Sequence, residues 1–285
     1  MAISKLEKSV EEAVGLSIII ATLAERGSLM RSVESAFLSC AEVDKEIVII
    51  CPEDKISSLS GQLKGYFSES ELIEILILPE TRGGVYEAMN LGIQNSKYSH
   101  VLFLNDDDRL LPKSIDKIFS EIGTKLPDLI ASANYLEFTC CGLWHPTFPE
   151  SNLGSRIFNG GMSTCHQSQI WRRETLINLG GFRRQLKPRF PILGRMRTVK
   201  IACDFDLFTR AVISKISYIP NGTFLSIVDA RGESGIAWRE TYWNLNKVIW
   251  ATFRPNLKWF PVFIHNVISS EIFHRNSTWV HNHEY

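Results

Sequence analysis

Three consecutive aspartates, Asp106, Asp107 and Asp108, follow the apolar run of residues 100–105. Adjacent carboxylates repel one another unless a cation or water neutralises them. Mg2+ and Mn2+ prefer oxygen ligands, and one or two carboxylates together with a bound diphosphate suffice for such a site. The cluster therefore favours a site for a divalent metal and a phosphate-bearing ligand. The structural alternative is a solvated turn in which one aspartate caps the following helix.

Polar residues also follow two other apolar runs of the chain. Thr22 ends the run 16–22, and Glu53 and Asp54 follow the run 46–51. Open parallel sheets bind their ligands beyond the carboxyl ends of the strands. We therefore expect these residues to lie at the same edge of a sheet as the aspartate cluster.

The elements that position these residues alternate between strand and helix. Apolar and β-branched runs predict strands, and apolar residues three and four apart predict helices. The predicted strands are 16–22, 46–51, 72–78, 100–105 and one starting at 129; the predicted helices are 28–40, 56–67, 85–95, 112–122, 173–179 and 204–214. This order predicts an α/β fold with a doubly wound, mostly parallel, Rossmann-like sheet. Residues 140–159, rich in Pro, Gly and Ser, predict a loop.

Composition excludes several classes of protein. The chain has 285 residues, of which 45% are hydrophobic and 22% charged, so it is not disordered as a whole. Its 31 basic and 31 acidic residues balance, which argues against a nucleic-acid-binding protein. No apolar run approaches the roughly 18–20 residues of a membrane-spanning helix. The amino terminus lacks a signal-peptide pattern, and no cysteines form a CxxC pair, so we expect reduced, buried thiols and a cytoplasmic location.

Three segments give the chain a resemblance to a known family. The first is GVYEAMNLGI (84–93) followed by FLNDDDRLLP (103–112). The second is HQ (166–167) followed by LGGF (179–182), and the third is ACDFDL (202–207). In this order, the segments resemble those of family 2 glycosyltransferases with the GT-A fold, in the bacterial branch that builds capsule and exopolysaccharide. The resemblance covers roughly residues 15–230.

The resemblance implies an inverting transfer of a sugar from a nucleotide-diphosphate donor. Asp107 corresponds to the ligand of a divalent metal, Mn2+ or Mg2+, on the donor diphosphate. Asp106 or Asp108 would contribute through water or to the sugar hydroxyls. Asp204 corresponds to the catalytic base, which accepts the proton of the attacking hydroxyl; capping of the helix that follows is its structural alternative. Asp206 is two residues further on, so only one of the two carboxylates should face the site.

Further residues correspond to donor-binding positions of that family. These are Thr22, Glu25, Asp54, Arg82, Asn90, Asp106 and His166. The segment Cys51-Pro52-Glu53-Asp54 stands where the family often has Asp-Asp-Gly-Ser, so the usual acidic pair is absent and Glu53 or Asp54 could substitute for it. Arg82 as a solvated loop residue, Asn90 as a packing residue and His166 as a structural residue remain alternatives.

The resemblance also indicates how the chain is divided and what it meets. We expect an N-terminal helical lead (1–14), a catalytic domain (15–230) and an aromatic-rich helical extension (231–285). The donor is a nucleotide sugar, with UDP favoured, and the acceptor is a glycan or a lipid-linked sugar in cell-surface polysaccharide synthesis. The basic segment 183–200 and the aromatic tail suggest two further hypotheses, contact with the inner membrane and a homodimer.

Two other functions are consistent with the same residues. A nucleotidyltransferase shares a parallel sheet with an acidic metal site, but it has a glycine-rich basic loop after the first strand, for which residues 24–28 are a weak match. A non-catalytic protein that binds sugar nucleotides is suggested by the displaced acidic pair. The presence of Asp107 and Asp204 argues against the second alternative.

Overall fold

The computed structural model describes residues 13–25, 27–80, 83–138, 142–157, 162–185 and 202–229, together with positions 245 and 248. These residues divide into two compact units. The larger unit comprises the described residues of Met1–Pro149, Thr164–Gly181 and Ser217–Ala230; the smaller comprises those of Glu150–Ser163, Phe182–Ile216 and Arg231–Tyr285. The predicted basic segment 183–200 lies largely outside the described residues, and the aromatic tail 231–285 almost entirely so.

The first part of the larger unit alternates strand and helix, as the apolar periodicity predicts. Its elements are β1 (Ala13–Ala21), α1 (Leu29–Ser39), β2 (Lys45–Pro52), α2 (Ile56–Tyr66), α3 (Glu69–Leu72), β3 (Ile75–Glu80), α4 (Val85–Asn95) and β4 (Tyr98–Phe103). The strands pair in parallel in the order β3-β2-β1-β4. Buried Ile and Val side chains occupy both faces of β1 and β2, which is typical of parallel strands covered on both sides.

The elements that follow are more varied in direction. They are β5 (Arg109–Leu110), α5 (Ser114–Ile122), β6 (Leu129–Phe138), β7 (Leu143–Thr147), β8 (Gln169–Arg172), α6 (Arg173–Asn178) and β9 (Tyr218–Asp229). The smaller unit contains α7 (Cys203–Ser214). Within the described residues, nine strands form one sheet of order β3-β2-β1-β4-β8-β6-β9-β5, and β7 pairs with β6.

Strand direction explains where polar residues gather. Strand β8 runs antiparallel to both β4 and β6, and β9 runs parallel to β6. Hence β1, β2, β3, β4, β6 and β9 all point the same way, and the sheet is mostly parallel, as expected. Their carboxyl ends share one edge of the sheet.

The core lies between this sheet and helices α1, α2 and α5. Ile18 and Ile20 of β1, Ile49 of β2 and Leu102 of β4 contribute to it and are fully buried. None of the described helices is long and apolar enough to cross a membrane.

The structure corrects three details of the sequence analysis. Ala13 and Val14 belong to β1 rather than to a helical lead. Leu72 ends α3, so the third strand begins at Ile75. Within the predicted loop 140–159, Leu143–Thr147 forms β7, because pairing with β6 satisfies its backbone despite its proline.

Candidate functional site

Thr22 and Asp106 come together at the carboxyl edge of the sheet. Parallel pairing places Ile19 of β1 opposite Phe103 of β4, so the residues that follow both strands are neighbours. The hydroxyl of Thr22 donates a 2.6 Å hydrogen bond to Oδ2 of Asp106 and accepts one of 2.9 Å from the amide of Ala24. The structure therefore joins two of the predicted donor-binding residues through a direct contact.

Asp108 is turned into the protein and is only 2% exposed. Its Oδ1 accepts a hydrogen bond from the amide of Asp229 at 2.9 Å. Its Oδ2 accepts from Nε2 of Gln167 at 2.7 Å and from Nδ2 of Asn105 at 3.0 Å. Asp108 thus links the end of β4 to the end of β9 and to the segment that contains His166.

Burial, with a smaller contribution from the neighbouring Asp107 carboxylate, raises the pKa of Asp108 to about 6. The amide of Asp229, the charge of His166 and the amide of Gln167 act in the opposite direction. Both oxygens of Asp108 already accept hydrogen bonds from protein donors, so this carboxyl group has a structural role.

Asp107 lies between these two anchored neighbours and is partly exposed. No group of three or more His, Cys, Asp or Glu side chains within the described residues could hold a metal by itself. Two carboxylates nevertheless fit Mg2+ or Mn2+ at a phosphate site, because substrate phosphates and water complete the coordination of these ions. Asp106 and Asp107 supply that donor set, whereas Asp108 does not.

Asn90, predicted to bind the donor, lies on α4 against the glycine pair that follows α6. A Cβ on Gly181 would collide with Oδ1 of Asn90, and Gly181 has a φ of +60°. A cleft of about 440 Å³ is lined by Asn90 and Glu87 of α4, by Glu80 of β3, and by Gly180 and Gly181. The structure thus brings together two of the three family-like segments and supports a packing role for Asn90.

The other predicted donor-binding residues differ in their placement. Glu25 follows β1 and is exposed, and Asp54 is exposed in a short 3-10 turn after β2. His166 begins a 3-10 turn next to Gln167, where its charge lowers the pKa of Asp108. Arg82 lies outside the described residues. Gln167 was not singled out as a site residue from the sequence, although its position beside His166 was a signal.

Asp204 lies in the first turn of α7, in the smaller unit. The helix begins after Ala202, which adopts a left-handed conformation with φ +75°. Oδ1 of Asp204 accepts a 2.9 Å hydrogen bond from the amide of Phe205, which orients the half-buried carboxylate. The predicted cap is therefore only partly realised: Asp204 bonds an amide of the first turn, but Ala202 is the residue that precedes the helix.

Asp206 is fully buried on the same helix. Nε and Nη2 of Arg183 donate to its two oxygens at 3.1 and 2.9 Å, and Nε of Arg210 donates to Oδ2 at 2.9 Å. Burial lowers the pKa of Arg210, which the charge of Asp206 partly offsets. Ion pairs therefore occupy both oxygens of the fully buried Asp206, whereas Asp204 is only half-buried.

Residues 17–180, more than half of the chain, match the protein-family model described as glycosyl transferase family 2. The chain belongs to this family. It is therefore a glycosyltransferase, and its α/β architecture is the GT-A fold. No curated protein gives a significant match.

Solved structures of other proteins share the fold of this family 2 chain. S. aureus TarS 1–349 in complex with UDP-GlcNAc is 14% identical, with a TM-score of 0.60 over 89% of this chain and 72% of TarS 1–349. Mannosyltransferase PcManGT from Pyrobaculum calidifontis, in complex with GDP-Man and Mn2+, is 11% identical, with a TM-score of 0.55 over 95% of this chain and 81% of PcManGT. At these identities the likeness establishes the fold.

Proposed function

We propose that this glycosyltransferase transfers a sugar from a nucleoside-diphosphate donor to a hydroxyl of a glycan or lipid-linked acceptor, with inversion and with the help of a divalent metal. The proposal is supported mainly by the different environments of the three aspartates that follow β4. Thr22 holds Asp106, and buried protein donors hold Asp108, so the partly exposed Asp107 is presented at the edge of the sheet.

Asp107, with Asp106, would hold the metal on the donor diphosphate. When bound, Mn2+ or Mg2+ neutralises the negative charge that develops on the leaving nucleoside diphosphate. The hydrogen bond from Thr22 fixes one carboxylate in place, so the pair need not reorganise when the donor arrives. The complexes of the similar proteins with UDP-GlcNAc and with GDP-Man and Mn2+ are consistent with this donor class.

Asp204 would act as the general base. The acceptor oxygen attacks the anomeric carbon, its proton passes to the Asp204 carboxylate, and the bond to the diphosphate oxygen breaks with its electron pair. The new bond forms opposite the leaving group, so the anomeric configuration inverts. Asp206 forms ion pairs with Arg183 and Arg210, and this cluster would hold the first turn of α7 so that Asp204 keeps its position in this step.

The test is release of nucleoside diphosphate from UDP-, GDP- and dTDP-sugars in the presence of Mn2+ or Mg2+. Turnover should need the metal, stop with EDTA, and fall at least a hundredfold in Asp107→Asn. Asp44→Asn is the matched control, because Asp44 is exposed at the opposite edge of the sheet.

Three outcomes would contradict parts of the proposal. Donor binding without turnover on any acceptor would favour the non-catalytic alternative. Conversion of the donor and added pyrophosphate to nucleoside triphosphate and sugar 1-phosphate, without release of nucleoside diphosphate, would indicate a nucleotidyltransferase. Full activity in EDTA would exclude the metal. Cytoplasmic location, membrane contact, dimer formation and a role in cell-surface polysaccharide synthesis stay predictions from the sequence.

A further inference from the structure

One face of the sheet carries four aromatic rings in mutual contact, which we name the aromatic strip: Tyr135, Trp144, Phe148 and Phe224. The rings of Tyr135 and Phe224 stack at 4.2 Å with an angle of 8°. Trp144 lies 5.6 Å from Tyr135, and Phe148 meets Phe224 edge-on at 5.3 Å. The strip crosses strands β6, β7 and β9.

The outer rings of the aromatic strip remain open to solvent. Trp144 is 50% exposed and Phe148 is 54% exposed. The Trp144 ring is nevertheless fixed, because its Nε1 donates a 3.0 Å hydrogen bond to Oε1 of Glu137. A large apolar surface that is held in one orientation at the surface is typical of a binding site.

The aromatic strip ends in a pair of charged groups. Nη2 of Arg109 donates to Oε2 of Glu137 at 2.7 Å, and both side chains are partly exposed. Glu137 lies on the same face as Tyr135, since alternate residues of a strand share a face. Flat apolar rings therefore adjoin groups that can donate to and accept from hydroxyls.

The aromatic strip is also continuous with the candidate donor site. Arg109 directly follows the aspartate cluster, and Asp229 lies opposite Glu137 in the pairing of β6 with β9. The amide of Asp229 donates to Asp108. A ligand on the strip would thus lie beside the residues proposed to hold the donor.

The edge strand beside the strip disfavours a second copy of the chain as the occupant. Among the described strands β7 pairs with β6 alone. Pro146 lies opposite Tyr135 within β7 and offers no N–H to another strand. Proline in an edge strand is a common protection against pairing between sheets.

We infer that the aromatic strip binds the acceptor saccharide, with the C–H face of a pyranose ring on Trp144 and its hydroxyls toward Glu137 and Arg109. A pyranose ring presents an apolar face of axial hydrogens and a polar rim, which matches this arrangement. The inference rests on the proposed function for the role of the saccharide as acceptor. It names the class of acceptor contact as a stacked sugar ring rather than a lipid chain.

The test uses the labelled full-length protein on an array of hexose- and N-acetylhexosamine-containing oligosaccharides. Wild type should bind a subset of the array, and Trp144→Ala should weaken that binding about tenfold, as expected for one lost ring contact. Trp144→Phe should retain most of the affinity, because it keeps a ring face. Tyr66→Ala is the matched control, since Tyr66 is a 70% exposed aromatic residue on α2 that contacts Phe67.

Calorimetry of UDP and GDP binding separates this inference from the proposed function. Trp144→Ala should leave nucleotide affinity unchanged, whereas failure of wild type to bind any nucleotide would contradict the proposed function and leave the array result intact. The inference is overturned if no saccharide binds, or if Trp144→Ala binds as wild type does. It is also overturned if sedimentation shows a wild-type dimer that Trp144→Ala abolishes, which would assign the strip to a second copy.

Discussion

Arg183 donates hydrogen bonds to both carboxylate oxygens of Asp206, at 3.1 and 2.9 Å. These bonds connect the segment that follows the glycine pair to the first turn of α7. Asp206 has no exposed surface, and Arg210 binds it from the next turn. The helix that bears the proposed base is therefore held by a buried charge cluster two residues beyond that base.

Asp206→Asn should lower the free energy of unfolding by about 3 kcal/mol, because removing one partner leaves buried guanidinium charge uncompensated. Urea unfolding of Asp206→Asn and of the exposed Asp44→Asn measures the difference. The control should change by less than about 0.5 kcal/mol. Equal stability of the two variants would mean that the cluster does not hold α7.

Thr22→Val should weaken metal-dependent donor binding about tenfold, since the variant keeps the shape of Thr22 but loses its hydrogen bond to Asp106. The measurement is calorimetric titration of the nucleotide with Mn2+ present. Thr124→Val, on an exposed turn, is the matched control. An unchanged affinity in Thr22→Val would show that Asp106 needs no orientation by this hydroxyl.

Gly181→Ala should destabilise the protein by about 1–3 kcal/mol more than Gly180→Ala. Both glycines have positive φ, so both variants share the backbone strain. A Cβ at Gly181 meets Asn90, whereas one at Gly180 meets open space. Thermal unfolding compares the two variants, and adding Asn90→Ala to Gly181→Ala should recover part of the loss. Equal unfolding temperatures of the two glycine variants would contradict a packing role for Asn90.

His100 should make the stability depend on pH. Burial, and then the charge of Arg172, lowers its pKa from 6.5 to about 4, although Asp128 opposes this shift. The unfolded chain therefore takes up the proton first as the pH falls. Neutral His100 therefore contributes fully to the free energy of unfolding above pH 6.5. As the pH falls from 6.5 to 4, about 3 kcal/mol of the free energy of unfolding is lost.

Urea unfolding of wild type and His100→Asn across this pH range tests that dependence. The slope of stability against pH should flatten in His100→Asn and persist in His145→Asn, since His145 is exposed on β7. Identical slopes in wild type and His100→Asn would show that other groups cause the acid sensitivity.

The sequence predicted the parallel part of the fold because its signals are local. Runs such as 16–22 and 46–51 are buried on both faces, and the helices between them have apolar residues at helical spacing. By contrast, β8 depends on β4 and β6, which are distant in sequence. The Leu-Trp-His-Pro-Thr stretch of β7 carries a proline that favours a loop, and only its pairing with β6 makes it a strand.

The candidate site was predictable by residue type but not by side-chain direction. Three adjacent aspartates give no indication that Asp108 turns inward to Gln167, because that contact depends on the distant segment just before β8. The spacing of Asp204 and Asp206 predicted that only one faces the site. The ion pairs of Asp206 with Arg183 and Arg210 favour Asp204 for that role, and the i, i+4 spacing of Asp206 and Arg210 was a signal in the sequence.

Steady-state kinetics of Asp204→Asn tests the proposal that Asp204 accepts the proton of the attacking hydroxyl. The measurement is kcat for nucleoside diphosphate release with a working donor, metal and acceptor, together with donor affinity by calorimetry. We expect kcat to fall by about 10²–10⁴-fold, the usual contribution of a general base, with donor affinity unchanged. A kcat within about threefold of wild type would contradict it.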